Sequence, residues 1–418
     1  MRRRLASSAS VVLSAALTIA VVSALAVPAL RAQAGEPDPR LTAAALLPTT
    51  PLTGEGYTVS PDVRTPDSYH LFTITSPFGT FEAHGVSQVE VRLQEIAALG
   101  RLEELSRVGV FARSAGESLV KVGTGVVDAV TAPVETAKGI GSGVKRFGVN
   151  LGRRTKRAVQ RMTDDRPSDA NDDGSRVGGA AASAAKSLIG INGARRRWAR
   201  RVGADPYTTN PVLKAELERV ATIDAAGGIA TSIAIPIPPI IGTTADIGNL
   251  VWGTDPEELR KLNETRAREI GASSDGANGF FRNRAFTLTM QTRLVGALAT
   301  VKVPGTGDYL ASAAEAADER EALFFVESAE MLQQEHETSP VASVLTDSRA
   351  LVARRASGET LVVLPLDWIR VSDTLTAEFR ELARRAKDEL GATTLRLRVA
   401  GRVTEAAAAA LASVGWQR

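Results

Sequence analysis

No cysteine occurs anywhere in the chain. That absence excludes disulfide staples, thiol nucleophiles and a lipidated cysteine anchor, so stability has to come from packing. Histidine is nearly as scarce: His70, His84 and His336 are the only three, which leaves imidazole chemistry few positions. The Gly-x-Ser-x-Gly elbow, the P-loop, the dinucleotide fingerprint and His-Glu-x-x-His are all missing. No cofactor is therefore expected. Carboxylate chemistry stays open, because acids are plentiful and their spatial pairing is invisible in a sequence.

What is present starts with Arg2, Arg3 and Arg4, an uncharged apolar run from Val11 to Val27, and Ala32-Gln33-Ala34. In that order they read as a secretory signal peptide over residues 1–34, cleaved near Ala34. The run is short for a membrane span, and Pro28 and Arg31 interrupt the residues after it. The chain is thus expected to be exported, to the periplasm or attached to the envelope. Four arginines and no acids lie in the leader, so the remainder carries a net charge of −1. Between Lys138 and Arg201, however, sixteen Lys or Arg face five Asp, which makes that block +11 and the rest −12. Such asymmetry suggests an anionic partner.

Residues 35–56, rich in Pro, Thr and Gly, read as a linker. Tyr69 to Thr75 and Gly79 to Ala83 flank Ser76, Pro77 and Phe78 as a hairpin. Val86, Val89, Leu93, Ile96 and Gly100 recur at helical spacing, and Leu102, Leu105 and Val108 extend that helix towards Phe111. Asn210-Pro211 and Asp255-Pro256 are helix starts, since each side chain can accept from first-turn N–H groups and proline fits the first helical position. Two more helices are expected near Gly279 to Val301 and Asp308 to Glu337. Near the end, Ala350 to Arg354 and Thr360 to Leu364 read as strands, Leu375 to Leu390 as a helix, Thr394 to Val399 as a strand and Thr404 to Leu411 as a helix. The predicted class is α+β, predominantly helical. Its parts are an N-terminal hairpin with a long helix and basic helical region and an Asp-rich linker (57–204), a central helical domain (205–338) and a small C-terminal ββαβα unit (339–418).

Four stretches stand out as candidate sites. Around Lys138 to Met162, Ile140, Val144, Phe147, Leu151, Ala158 and Met162 form one stripe, while Lys145, Arg146, Arg153, Arg154, Lys156, Arg157 and Arg161 cover the rest. A basic amphipathic helix of this kind suits an anionic lipid surface, and Arg195, Arg196, Arg197, Arg200 and Arg201 form a second cluster that would join it. Ala225 to Ala245 is twenty-one residues without a charge, but Pro236, Pro238 and Pro239 resist a continuous helix, so a buried or membrane-inserted helical hairpin is expected. Asp169, Asn171 and Asp173 with Gly174 match the first half of a calcium loop, whereas Ala180 stands where a bidentate Glu is needed. Finally, His70 and His84 share one face of the hairpin if its turn has three residues and fall on opposite faces if it has two.

Several segments, namely Asp205-Pro-Tyr-Thr-Thr-Asn-Pro211, Phe281 to Thr292, Glu321-Ala-Leu-Phe-Phe325 with Met331 and His336, Val363 to Trp368 and Gly415-Trp416, resemble a family of uncharacterised exported bacterial proteins with no assigned activity. The resemblance implies one architecture over most of the chain after the leader, and no substrate or catalytic residue comes with it. It also implies a short last strand after Gly415-Trp416, which the stop at Arg418 would remove.

The first functional expectation is a non-enzymatic envelope protein that contacts anionic lipid or another envelope polyanion through Lys138 to Arg161 and Arg195 to Arg201. No nucleic acid is expected as a partner; a protein partner stays open. The alternative is a periplasmic hydrolase or ligand-binding protein with a carboxylate-based site, which would appear as a concave pocket lined by converging Asp or Glu with Arg or Lys nearby. A scaffold would instead show an exposed apolar patch.

Overall fold

A computed structural model describes residues 36–107, 178–225 and 239–418, apart from Pro37, Asp67, Ile241 and Asp373. The chain is 54% helix and 17% strand, an α+β protein. Its N-terminal part contains β1 (Leu41–Thr42), α1 (Ala43–Leu46), β2 (Thr53–Gly54), β3 (Tyr57–Val59), β4 (Asp62–Val63), β5 (Leu71–Ser76), β6 (Gly79–His84) and α2 (Val86–Arg107). Strands β2, β3, β5 and β6 make an antiparallel sheet in that order, with β1 and β4 paired beside it. Residues 35–56 are consequently not a linker: Ala43 and Leu47 are buried in the same core as Val59, Phe72 and Ile74. Composition pointed to Pro, Thr and Gly there and gave no weight to those few apolar anchors.

The β5–β6 turn has two residues, since Ser76 pairs with Gly79. The Ser76 hydroxyl donates to the Gly79 carbonyl and accepts from the Phe78 N–H, and Gly79 sits at φ 123°, a conformation open to glycine. His84 therefore pairs with Leu71 and not with His70, which puts the two imidazoles on opposite faces.

Next come α3 (Gly178–Val202) and α4 (Pro211–Ala225), which pack along each other and close the N-terminal core. Trp198, Val202, Leu213, Leu217 and Val220 meet Ile96, Leu99 and Leu102 of α2 there. After them stand α5 (Ala245–Gly253), α6 (Pro256–Glu269), α7 (Ser274–Arg282), α8 (Leu288–Val301), α9 (Thr306–Ala313) and α10 (Glu319–Thr338). The two expected long helices are each split. Asn283 ends α7 because its amide bonds across to the Ala314 and Ala316 carbonyls, and Thr287 then caps α8. Asp318 caps α10 by accepting from Glu321 N.

The C-terminal part holds β7 (Val341–Val344), β8 (Leu351–Arg355), β9 (Glu359–Leu364), β10 (Trp368–Ile369), α11 (Leu375–Leu390), β11 (Thr394–Val399), β12 (Arg402–Val403), α12 (Glu405–Ser413) and β13 (Trp416–Gln417). Five strands form the sheet β13-β11-β9-β8-β7, antiparallel at the β7 end and parallel from β9 onward. A two-residue strand closes the sheet at Trp416 itself, with Trp416 and Gln417 pairing Leu395 and Arg396. Thr360 to Leu364 are all buried, as expected of a strand covered on both faces. Helix α10 packs on β8 and β9, and Phe324, Phe325 and Leu332 join Leu351, Val352 and Val362 in one core. The helical domain and the C-terminal sheet thus share an interior, while α4 belongs with the N-terminal core. Periodicity marks apolar faces without saying what they meet.

The segment at Glu36 ties the chain together. Its carboxylate accepts from Val371 N and the Thr404 hydroxyl, both at 2.7 Å, and Arg370 reaches Asp38 at 2.6 Å. Among the described residues, no helix is long and apolar enough to cross a membrane.

Candidate functional site

Polar residues on three helices and one loop converge where α2 crosses the helical domain. Gln88, Arg92 and Glu95 recur four and three residues apart on α2, which puts them on one face. Thr289 and Arg293 do the same on α8, and Glu319 opens α10. The loop 203–210 is wired by its own side chains. Asp205 accepts from Tyr207 N at 2.8 Å, Thr208 from Asn210 N at 3.0 Å, and Asn210 caps α4 through Val212 N and Leu213 N.

These groups line a cavity of about 60 Å³. Glu95 belongs to this lining and is 6% exposed. One of its oxygens accepts from Arg92 at 2.7 Å and from the Asn210 amide at 3.1 Å; the other accepts the Thr208 hydroxyl. Arg92 also reaches Glu319 at 3.3 Å, and that same Glu319 oxygen accepts the Thr209 hydroxyl at 2.7 Å. Asp205 accepts the Thr289 hydroxyl at 2.7 Å. Arg293 gives its fork to Glu330, with both bonds 2.8 Å. Burial pushes the Asp205 carboxyl up to about 6, against the Thr289 and Tyr207 bonds, with Glu95 adding to the rise and Arg293 opposing it.

The direction of these bonds decides what the cavity offers. An ionised carboxylate cannot donate, so the hydroxyl hydrogens of Thr208, Thr209 and Thr289 must point at Glu95, Glu319 and Asp205. Thr243 spends its hydrogen on the Ile240 carbonyl, and the Gln94 amide spends one on Pro239. Asp205 Oδ2 and Glu319 Oε2 carry no hydrogen bond among the described residues. The Tyr207 hydroxyl and the Arg92 and Arg293 guanidinium groups belong to the same lining, so lone pairs and donors occur there together.

The cations expected to meet a polyanion are placed elsewhere. Arg195, Arg196 and Arg197 face Glu218 at 3.9 Å, Asp255 at 3.5 Å and Asp224 at 2.8 Å. Arg195 also lies over the Tyr207 ring, Arg200 over Trp252 and Arg201 over Trp198. Three of the five arginines therefore meet the chain's own carboxylates, while Arg200 and Arg201 lie over aromatic rings. Lys145, Arg146, Arg153, Arg154, Lys156, Arg157 and Arg161, the acidic set Asp169, Asn171 and Asp173, and the proline-containing stretch 226–238 lie outside the described residues. Among the described residues no group of three or more His, Cys, Asp or Glu is placed to hold a metal ion.

Sequence reading offered a carboxylate-lined pocket only as its alternative and named none of these residues for it, although one signal pointed to them. Glu95 falls on the same helical face as Leu99 and Leu102, which are 2% and 1% exposed, and a carboxylate in a buried stripe needs partners. The chain matches no family model, no curated protein and no solved structure.

Proposed function

We propose that the protein is an exported, non-enzymatic binding protein whose cleft takes the ammonium end of a small organic ligand. One observation carries this reading: the carboxylates Asp205 and Glu319 line the cavity, and the hydroxyl hydrogens of Thr208, Thr209, Thr243 and Thr289 beside them are committed to protein acceptors, which favours a ligand that brings its own donors. An ammonium brings three and no acceptor. The volume fits, because about 60 Å³ holds a few water molecules or a head group, far below the roughly 300–1,000 Å³ of a drug-sized pocket. Asp205 is the natural anchor, and Glu319 lines the same cavity. The leader-like residues 1–34 support export to the periplasm or envelope.

Calorimetric titration of the full chain with ethylammonium chloride, against potassium acetate as the anionic control, tests the assignment. Saturable heat is expected with ethylammonium alone at pH 7.5, at least about tenfold weaker in Asp205→Asn, since a charge-assisted hydrogen bond contributes roughly 1.5–3 kcal/mol. Binding of acetate without ethylammonium would overturn it.

A second reading is favoured by the charge distribution alone. The +11 block keeps seven cations between Lys145 and Arg161, so contact with anionic lipid or another envelope polyanion rests first on that segment, with Arg195 to Arg197 already meeting carboxylates of the chain. Flotation with anionic vesicles that is lost at high salt would support it. Equal recovery with neutral vesicles would end it.

A further inference from the structure

An ammonium answers only part of what the cavity presents. Of the two arginines in its lining, Arg92 is spent: Nη1 donates to Glu95 at 2.7 Å, Nη2 to Glu319 at 3.3 Å and Nε to the Glu82 carbonyl at 3.4 Å. Arg293 is not. Its Nε and Nη2 go to the two oxygens of Glu330 at 2.8 Å each, and Nη1 makes no hydrogen bond among the described residues. A planar guanidinium gripped along that side turns Nη1 away from the gripping carboxylate. The side chain is 11% exposed, so little water is at hand to serve that nitrogen.

Arg293 stands one helical turn after Thr289 on α8, and the Thr289 hydroxyl holds Asp205 at 2.7 Å. Acid and arginine are thereby neighbours, close enough for each to favour the charged form of the other. The same lining therefore offers an uncommitted acceptor, Asp205 Oδ2, and an uncommitted donor, Arg293 Nη1. A ligand that satisfies both carries an ammonium and an oxygen acceptor, and a cavity of about 60 Å³ keeps the two within the span of a few atoms.

Charge decides which oxygen that is. Arg92 and Arg293 stand against Glu95, Asp205 and Glu319 in the lining, which leaves one negative charge in excess. A cation with a neutral acceptor balances it, whereas a zwitterion with a carboxylate does not. We propose that the cleft recognises an α-amino amide, the group that also begins a peptide: Asp205 takes the ammonium, and Arg293 Nη1 donates to the carbonyl oxygen two carbons away. Glu330 holds the guanidinium in the orientation this requires.

The assignment rests on the ammonium reading, and its test separates the two. Calorimetric titration of the full chain at pH 7 compares ethylammonium, glycinamide and glycine. Glycinamide is expected to bind at least about tenfold tighter than ethylammonium, the gain of a hydrogen bond from a charged donor, and tighter than glycine. Equal affinities for glycinamide and ethylammonium would overturn the amide assignment and leave the ammonium reading standing. Binding of none of the three would overturn both, and glycine binding tighter than glycinamide would overturn the neutral acceptor. Arg293→Lys keeps a charge for Glu330 and lacks Nη1, so in that variant the ratio of the glycinamide and ethylammonium affinities should fall to near one; a ratio that stays at about ten would overturn the role of Arg293. The ligand series on the unaltered chain decides the amide assignment even where the variant does not fold. Glycylglycinamide, as a fourth titrant, identifies the source: affinity equal to that of glycinamide assigns the end of a peptide, and loss of affinity assigns a free amino amide.

Discussion

Two seams hold this molecule together, and they are built from opposite materials. Where α10 meets β8 and β9, the contact is Phe324, Phe325 and Leu332 against Leu351, Val352 and Val362, all fully buried. Where α2 meets α8, α10 and the loop 203–210, it is Glu95, Asp205, Glu319 and Glu327 with Arg92 and Arg293. The dry seam makes one interior out of two units. The wet seam leaves the N-terminal unit with its own core, docked through charged and hydrogen-bonding groups among which burial raises Asp205 to about 6 and Glu327 to about 7. Apolar contact gives permanence, and buried carboxylates give a cavity and a response to protons.

The sharpest way to break that contrast is to damage the dry seam. Phe324→Ala removes a fully buried ring from the shared core and is expected to cost about 3–5 kcal/mol, read as a lower urea midpoint with one cooperative transition for α10 and the C-terminal sheet. Separate transitions for those two would mean that they are not one unit. The next effect is Asp367→Ala, which strips partners from His70 N and Val86 N and should cost about 1–3 kcal/mol. Its signature is loss of amide protection in α2 with β8 and β9 unaffected.

Much of this fold can be read locally. The hairpin at Leu71 to His84 is legible from alternation around Ser76 and Pro77, and the helices after Asn210 and Asp255 start where expected because a cap and a following proline are neighbours in sequence. Breaks imposed by tertiary bonds are not legible in that way: Asn283 ends α7 by binding carbonyls more than thirty residues onward. Short strands such as β7 and β13 exist because a neighbouring strand accepts them. The cleft is the extreme case, since Glu95 and Asn210 are 115 residues apart and Arg92 and Glu319 are 227 apart. Only the misplaced charge of Glu95 on an apolar face announced it.

A smaller effect separates the seams by pH. Burial raises Asp205 and Asp367 to about 6 and Glu327 to about 7. Their combined contribution is largest below pH 4 and declines as pH passes through 6 and 7. The urea midpoint of the N-terminal part should therefore fall from pH 5.5 to pH 8, while exchange in β9 at matched stability should not respond. The smallest change expected is Arg197→Ala on α3. Its pair with Asp224 has an arginine side chain 59% exposed, so the loss should stay between about 0 and 1 kcal/mol; a larger loss would give the arginine row a structural weight that its exposure does not suggest.

Carbon-detected NMR of the Asp205 carboxyl, titrated from pH 4 to pH 8 with and without ethylammonium, addresses the cleft directly. A midpoint near 6 that moves down when ethylammonium is added is the expected result, because a bound cation favours the ionised acid. A midpoint that does not move, or that rises, would contradict the assignment of the cavity to an ammonium ligand.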